Sequence, residues 1–237
     1  MEKHNRREFI KRSALAAGSL VLGGMSLKAE AADLVSSKTP QLTKRPLPFD
    51  PKKLSGLSEK LITSHWENNY GGSVKILNSV NRKLATALND AENQPFAYGD
   101  LKRQQLLRTG SVILHELYFE NLGSNGAPET ALKTELTSQF GSFETWLAEF
   151  KKIAQSLSGG SGWVVLAFNT HFRKMENHGL SDHLQHPPAS IPLLVLDMFE
   201  HSYQMDYGAA AAKYIDAFFS NVNWSVVQKR LERLKSL

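Results

Sequence analysis

Three histidines and one aspartate, far apart along the chain, restrict its fold more than any other feature. His65 lies in Ser-His-Trp-Glu-Asn-Asn-Tyr (64–70), His115 in His-Glu-Leu-Tyr-Phe (115–119), and Asp197 and His201 in Asp-Met-Phe-Glu-His-Ser-Tyr (197–203). Three neutral imidazoles and one carboxylate suit a borderline transition ion such as iron or manganese. Such a site requires a fold that carries three distant segments to one point. Each residue alone also has a plainer reading. His65, between Ser64 and Trp66, suits a helix surface. His115 suits a buried, satisfied histidine on a leucine-rich helix. Asp197, after four apolar residues, suits the start of a turn, and His201 a cap on that turn. The i to i+4 spacing of Asp197 and His201 lets both converge if the chain turns there.

The first 31 residues read as a leader rather than as part of the fold. Arg6-Arg7-Glu8-Phe9-Ile10-Lys11 is a twin-arginine segment. A weakly apolar stretch, roughly Ser13 to Leu27, follows, and Ala29-Glu30-Ala31 offers a small-x-small cleavage site. That is the layout of a secretory signal. A stretch of about 15 apolar residues is short for a membrane anchor. The expectation is therefore export, to the periplasm, through the twin-arginine machinery, with no stable membrane anchor. That route carries folded proteins, so a metal site could be filled before crossing.

Cleavage after Ala31 would leave 206 of the 237 residues, enough for one large or two small units sharing a core. Residues 1–31 hold six Lys/Arg and three Asp/Glu, so they account for +3 of the net +5. The remainder is close to neutral. No arginine-rich stripe with interleaved aromatics occurs, which argues against nucleic-acid binding. With no cysteine, disulfides, thiolate metal sites and cysteine nucleophiles are excluded together.

Beyond the leader, residues 32–45 read as a flexible tether, 46–126 as a helical hairpin domain and 127–237 as an α+β C-terminal domain. Ser58 is placed to cap a helix that runs to about Asn89, with a kink at Gly71-Gly72. Asp90 to Tyr98 is a connector, and a second helix spans roughly Leu101 to Leu122, with apolar residues at three- and four-residue steps. Pro128 opens a short helix that ends near Gly141. Ser142 caps another, Phe143 to Leu157. The period then changes: Trp163–Phe168 is a buried strand, Phe172 to Met175 its hairpin partner, and Ile191–Leu196 a third strand. Helices over about Gly208 to Phe219 and Val226 to Leu234 close the chain. The fold class is α+β: a long N-terminal helical hairpin packed on a C-terminal unit with a small three-stranded antiparallel sheet and helices.

The three segments around His65, His115 and Asp197–His201 resemble the metal-binding segments of the iron/manganese superoxide dismutase family, in order and at similar separations. The family's His-x-x-Phe-Trp is here His115-Glu-Leu-Tyr118-Phe119, and its Asp-x-Trp-Glu-His-x-Tyr is Asp197 to Tyr203, with Phe199 for the tryptophan. Leu47-Pro48-Phe49, Gly160-Gly-Ser-Gly-Trp163 and Asn223-Trp224 also match, so the resemblance covers about residues 46–236. It implies dismutation of superoxide to dioxygen and hydrogen peroxide by one Fe or Mn ion per subunit, held by His65, His115, Asp197 and His201. It implies His183, with Gln185 as runner-up, as the side chain beside the ion's remaining position. Trp163, Phe199 and Phe119 would be apolar walls. Glu200 and Tyr203 would lie toward a homodimer interface, Glu200 reaching the partner's metal-bound histidine.

The chain departs from the family at three positions of the substrate funnel. A gateway tyrosine is replaced by Ser73, a gateway histidine by Asn69, and a tyrosine after the third segment by Gln204. A serine has neither the reach nor the acidity of a phenol. These changes carry the alternative reading: a family-like metal-binding protein with weak or no dismutase activity.

Overall fold

The computed structural model describes residues 41–235, save 91 and 125. The leader, and the tether up to residue 40, lie outside the described residues. Residues 41–45, expected within the tether, are held against the protein. Leu42 N–H donates to Asn78 Oδ1 and its carbonyl accepts from Asn78 Nδ2 (2.9 and 2.8 Å). Arg45 N–H donates to the Tyr70 hydroxyl at 2.9 Å.

Helix α1 (Glu59–Ser64) starts where Ser58 Oγ accepts from Leu61 N–H at 3.0 Å. Its chain runs on through a π-helical turn, His65–Tyr70, into α2 (Gly71–Ala87). The expected irregularity at Gly71-Gly72 is thus the end of a wider turn. There Gly71 N–H bonds back to Trp66 O, five residues earlier. Such turns are rare and cluster at functional sites. This one buries both His65 and Tyr70 on one side.

Helix α3 (Pro95–Glu120) begins six residues before its expected start. Proline suits the first helical position, where its missing N–H costs nothing. All the buried residues of α3 lie between Ser111 and Phe119. Its first half therefore carries no core-facing pattern from which the start could be read. Helices α4 (Thr130–Phe140) and α5 (Phe143–Ser156) follow, the second capped by Ser142 Oγ, which accepts from Thr145 N–H at 2.9 Å.

The sheet has order β2-β1-β3, antiparallel throughout. Central strand β1 (Trp163–Asn169) is buried at every residue. Its hairpin partner is β2 (Lys174–Leu180), not Phe172 to Met175. Residues 170–173 form the turn instead: Asn169 Oδ1 accepts from the backbone N–H of His171 and Phe172, and Arg173 takes φ 52°. As an edge strand, β2 buries only Met175 and Leu180, so no apolar run marked it. Strand β3 (Ser190–Asp197) pairs with β1 and places Asp197 opposite Trp163. Its register shifts where Pro192 meets β1, the irregular place at which a strand proline is tolerated. A 3₁₀ turn (Glu200–Ser202) and short α6 (Gln204–Tyr207) precede α7 (Ala211–Phe219) and α8 (Trp224–Lys235). One continuous buried cluster joins α1, α2 and α3 to the sheet and α5, α7 and α8. Among the described residues no helix is long and apolar enough to cross a membrane.

Candidate metal centre

His65 enters from the π-helical turn, His115 from the last turns of α3, Asp197 from the end of β3, and His201 from the 3₁₀ turn after it. One donor atom from each lies within 4.8 Å of the others, the one such cluster among the described residues. Asp197 Oδ2 is the common centre: His65 Nε2 lies 3.0 Å away, His201 Nε2 3.2 Å and His115 Nε2 3.6 Å. His65, His115 and Asp197 are buried to 1% exposure or less, whereas the His201 side chain keeps 27%.

Local hydrogen bonds aim these groups. Asp197 Oδ1 accepts from Phe199 N–H at 2.9 Å, which turns the carboxylate so that Oδ2 faces the imidazoles. The Asp197 backbone carbonyl accepts from the Tyr214 and Ser202 hydroxyls (2.7 and 2.9 Å). His115 Nδ1 lies 2.7 Å from the Ser111 carbonyl oxygen, which can only accept. Nδ1 therefore carries the hydrogen, and Nε2 turns a lone pair toward Asp197. Burial lowers the His65 and His115 pKa values, that of His115 to about 3. Burial alone would raise that of Asp197, but His201 and His65 outweigh it and hold the carboxyl well below the usual carboxylate range. Both directions favour the deprotonated forms that bind metal.

A metal ion fits this arrangement. Nε2 of His115 and both ring nitrogens of His65 are buried with no hydrogen-bond partner, despite the short approach of His65 to Asp197. Buried polar atoms are rarely left so, and a cation among three nitrogens and a carboxylate oxygen would satisfy the inward-facing ones together.

The aromatic residues picked out in the sequence surround the cluster. Phe119 lies 5.1 Å from the His65 ring, Trp163 5.0 Å edge-on to His115, and Phe199 is stacked 5.4 Å from His201. Trp163 is more than an apolar wall: its Nε1–H donates to His183 Nδ1 at 2.9 Å. His183 also stacks on Phe199 at 4.7 Å and lies 6.1 Å from the His115 ring. Gln185 is engaged within its own loop, where Oε1 accepts from Ser181 N–H.

The remaining positions divide. Ser73 is buried, its hydroxyl hydrogen-bonded to that of Ser111, 2.8 Å away. Asn69 is half-buried, while Gln204 and Glu200 are exposed. Tyr203 is buried, its hydroxyl accepting from Gly159 N–H at 3.2 Å and its ring stacked on Tyr214. Sequence reasoning missed Ser111, Tyr214 and Ser202. The i to i+4 step from Ser111 to His115 was a readable signal for the first.

Residues 128–230 match the family described as iron/manganese superoxide dismutases, C-terminal domain. A superoxide dismutase (Fe) of Cupriavidus metallidurans is 50% identical over 180 residues, 76% of this chain and 91% of that protein. A superoxide dismutase (Fe) of Aquifex pyrophilus is 35% identical, the match covering 77% of this chain and 88% of that protein. A superoxide dismutase (Mn) of Halobacterium salinarum is 32% identical, covering 79% and 94%. The matches extend well beyond the C-terminal half, and relatives named for iron and for manganese both align with a chain whose three imidazoles and carboxylate meet at one point. It belongs to the iron/manganese superoxide dismutase family.

Proposed function

We propose that this protein is a superoxide dismutase that uses one Fe or Mn ion held by His65, His115, Asp197 and His201. Two superoxide anions and two protons become dioxygen and hydrogen peroxide. The observation that carries the reading is the convergence of three imidazole nitrogens on Asp197 Oδ2, with all but His201 buried. When bound, the ion supplies a redox couple that takes an electron from one superoxide and returns it to the next.

The chain's own groups account for the rest. Neutral imidazoles and an ionised carboxylate offer a net −1 donor set, which holds a divalent or trivalent ion without thiolates. Phe119, Phe199 and Trp163 keep bulk water from the donors. Because indole N–H can only donate, His183 Nδ1 accepts and the hydrogen of the neutral ring sits on Nε2. That N–H sits on a ring 6.1 Å from the His115 ring and outside the four donors. We assign it the task of orienting solvent and substrate there.

Purified protein loaded with Fe or Mn should suppress cytochrome c reduction by a superoxide source. Full metal occupancy without suppression would instead favour the metal-holding scaffold suggested by Ser73, Asn69 and Gln204.

The homodimer belongs to the same proposal, supported by exposed Glu200 one residue before His201. Sedimentation at micromolar concentration should give twice the chain mass; a monomer would reject it. Export rests on the twin-arginine segment and the small-x-small site. Changing Arg6 and Arg7 to Lys should leave the product in the cytoplasm rather than the periplasm. The division at residues 126 and 127 is likewise proposed, as the seam between the hairpin and the sheet unit.

A further inference from the structure

We propose that Ser73 and Ser111 form a hydroxyl chain that positions His115 and sets how strongly that ring donates to the metal; this rests on the four-residue metal site proposed above. The carbonyl contact fixes the direction at His115, and the proposal assigns the next one. His115 Nδ1–H is committed to the Ser111 carbonyl at 2.7 Å, with Ser111 Oγ as a second acceptor at 3.3 Å. Ser111 Oγ then receives at His115, and its own hydrogen must point elsewhere. Ser73 Oγ lies 2.8 Å away, where either hydroxyl could donate, and the proposed chain takes Ser111 as the donor. Both serines are buried, at 4% and 1% exposure, so water does not compete.

A hydroxyl that donates becomes a better acceptor, and such chains strengthen in a low dielectric. The Ser73 oxygen thus increases the pull of Ser111 on the Nδ1 hydrogen and makes Nε2 the more basic donor. Partners of this kind tune affinity and potential in metal sites generally. The chain also links α2 to α3 one helical turn from His115, so it resists rotation of the ring. In this protein Ser73 is not a shortened gateway: it faces inward and acts through Ser111.

The test is a double-mutant cycle on the full protein. Apo wild type, S73A, S111A and the double variant are titrated with Fe²⁺ and with Mn²⁺ against a chelator, and the midpoint potential of each loaded form is measured. Alanine suits helix interiors, so the fold should persist; urea midpoints check this. S111A should bind metal about tenfold more weakly, the lower end of the effect for such partners, with a raised potential. S73A should shift both in the same direction by less, and S73T, which restores a hydroxyl, should return them. In the S111A background, S73A should do nothing further. Wild-type affinity and potential in S73A, or effects that simply add, would overturn the chain while leaving the metal site standing. Failure of wild type to take up either metal would overturn the site and this proposal together.

Discussion

The Trp163 indole donates its N–H to His183 Nδ1 at 2.9 Å and so decides which nitrogen of that histidine carries hydrogen. Trp163 begins the central strand, and His183 lies in the loop after β2, 20 residues on. Replacing Trp163 by Phe keeps the apolar body but leaves His183 Nδ1 without its donor. Activity should fall about tenfold at unchanged metal content, with a stability loss of about 1–3 kcal/mol from the lost bond. His183→Ala should likewise keep the ion and lower turnover. Elemental analysis and activity on the same samples check both, and loss of the ion in either would place His183 among its holders.

Gly110 fixes the same loop from the other side. A Cβ there would lie 2.0 Å from the His183 carbonyl oxygen. Alanine would favour the helix by about 1 kcal/mol, yet a backbone oxygen cannot yield as a flexible side chain can. The clash wins, and overpacking of this kind costs about 1–3 kcal/mol. Gly110→Ala should therefore lower the urea midpoint and reduce activity while the four donors keep their metal. A variant with full activity would show that the loop position is immaterial.

Asp197 is the atom-level hub of the cluster, so Asp197→Ala should remove metal and activity together. The change deletes the negative charge among three imidazoles and also strips Phe199 N–H of its acceptor. Metal occupancy should drop at least about tenfold, by comparison with losses for mere supporting partners. Retained occupancy would remove Asp197 from the ligand set.

The apo protein should weaken in mild acid. Burial holds the His115 pKa down at about 3, against an ordinary 6.5, with His65 adding to the effect. As pH falls through 6.5, the unfolded chain takes up a proton that the folded chain refuses until about 3. Stability is therefore complete above 6.5 and drains away between 6.5 and 3, at up to about 1.4 kcal/mol per pH unit for this one group. His65 acts in the same direction. Urea midpoints of apo protein at pH 7 and pH 5 should differ accordingly, and His115→Gln should flatten the slope. Bound metal should flatten it too, since the ion keeps the nitrogens deprotonated.

Much of this protein was legible before folding. Ser58 and Ser142 cap helices where they were expected to, because a cap depends on residues three positions away. The unbroken apolar run from Trp163 became the central strand because only a strand covered on both faces needs one. His65, His115, Asp197 and His201 stood out through the short segments that hold them. Tertiary structure alone decided the rest. Edge strand β2, half solvated, had no pattern to show, and the first half of α3 had no core to face. The hydrogen on His183 is placed by Trp163, and the hydroxyl of Ser73 is turned inward by Ser111, 38 residues away. Local hydrogen bonding and periodicity are written in neighbouring residues. Burial and ring orientation come from groups that meet only once the core has closed around them.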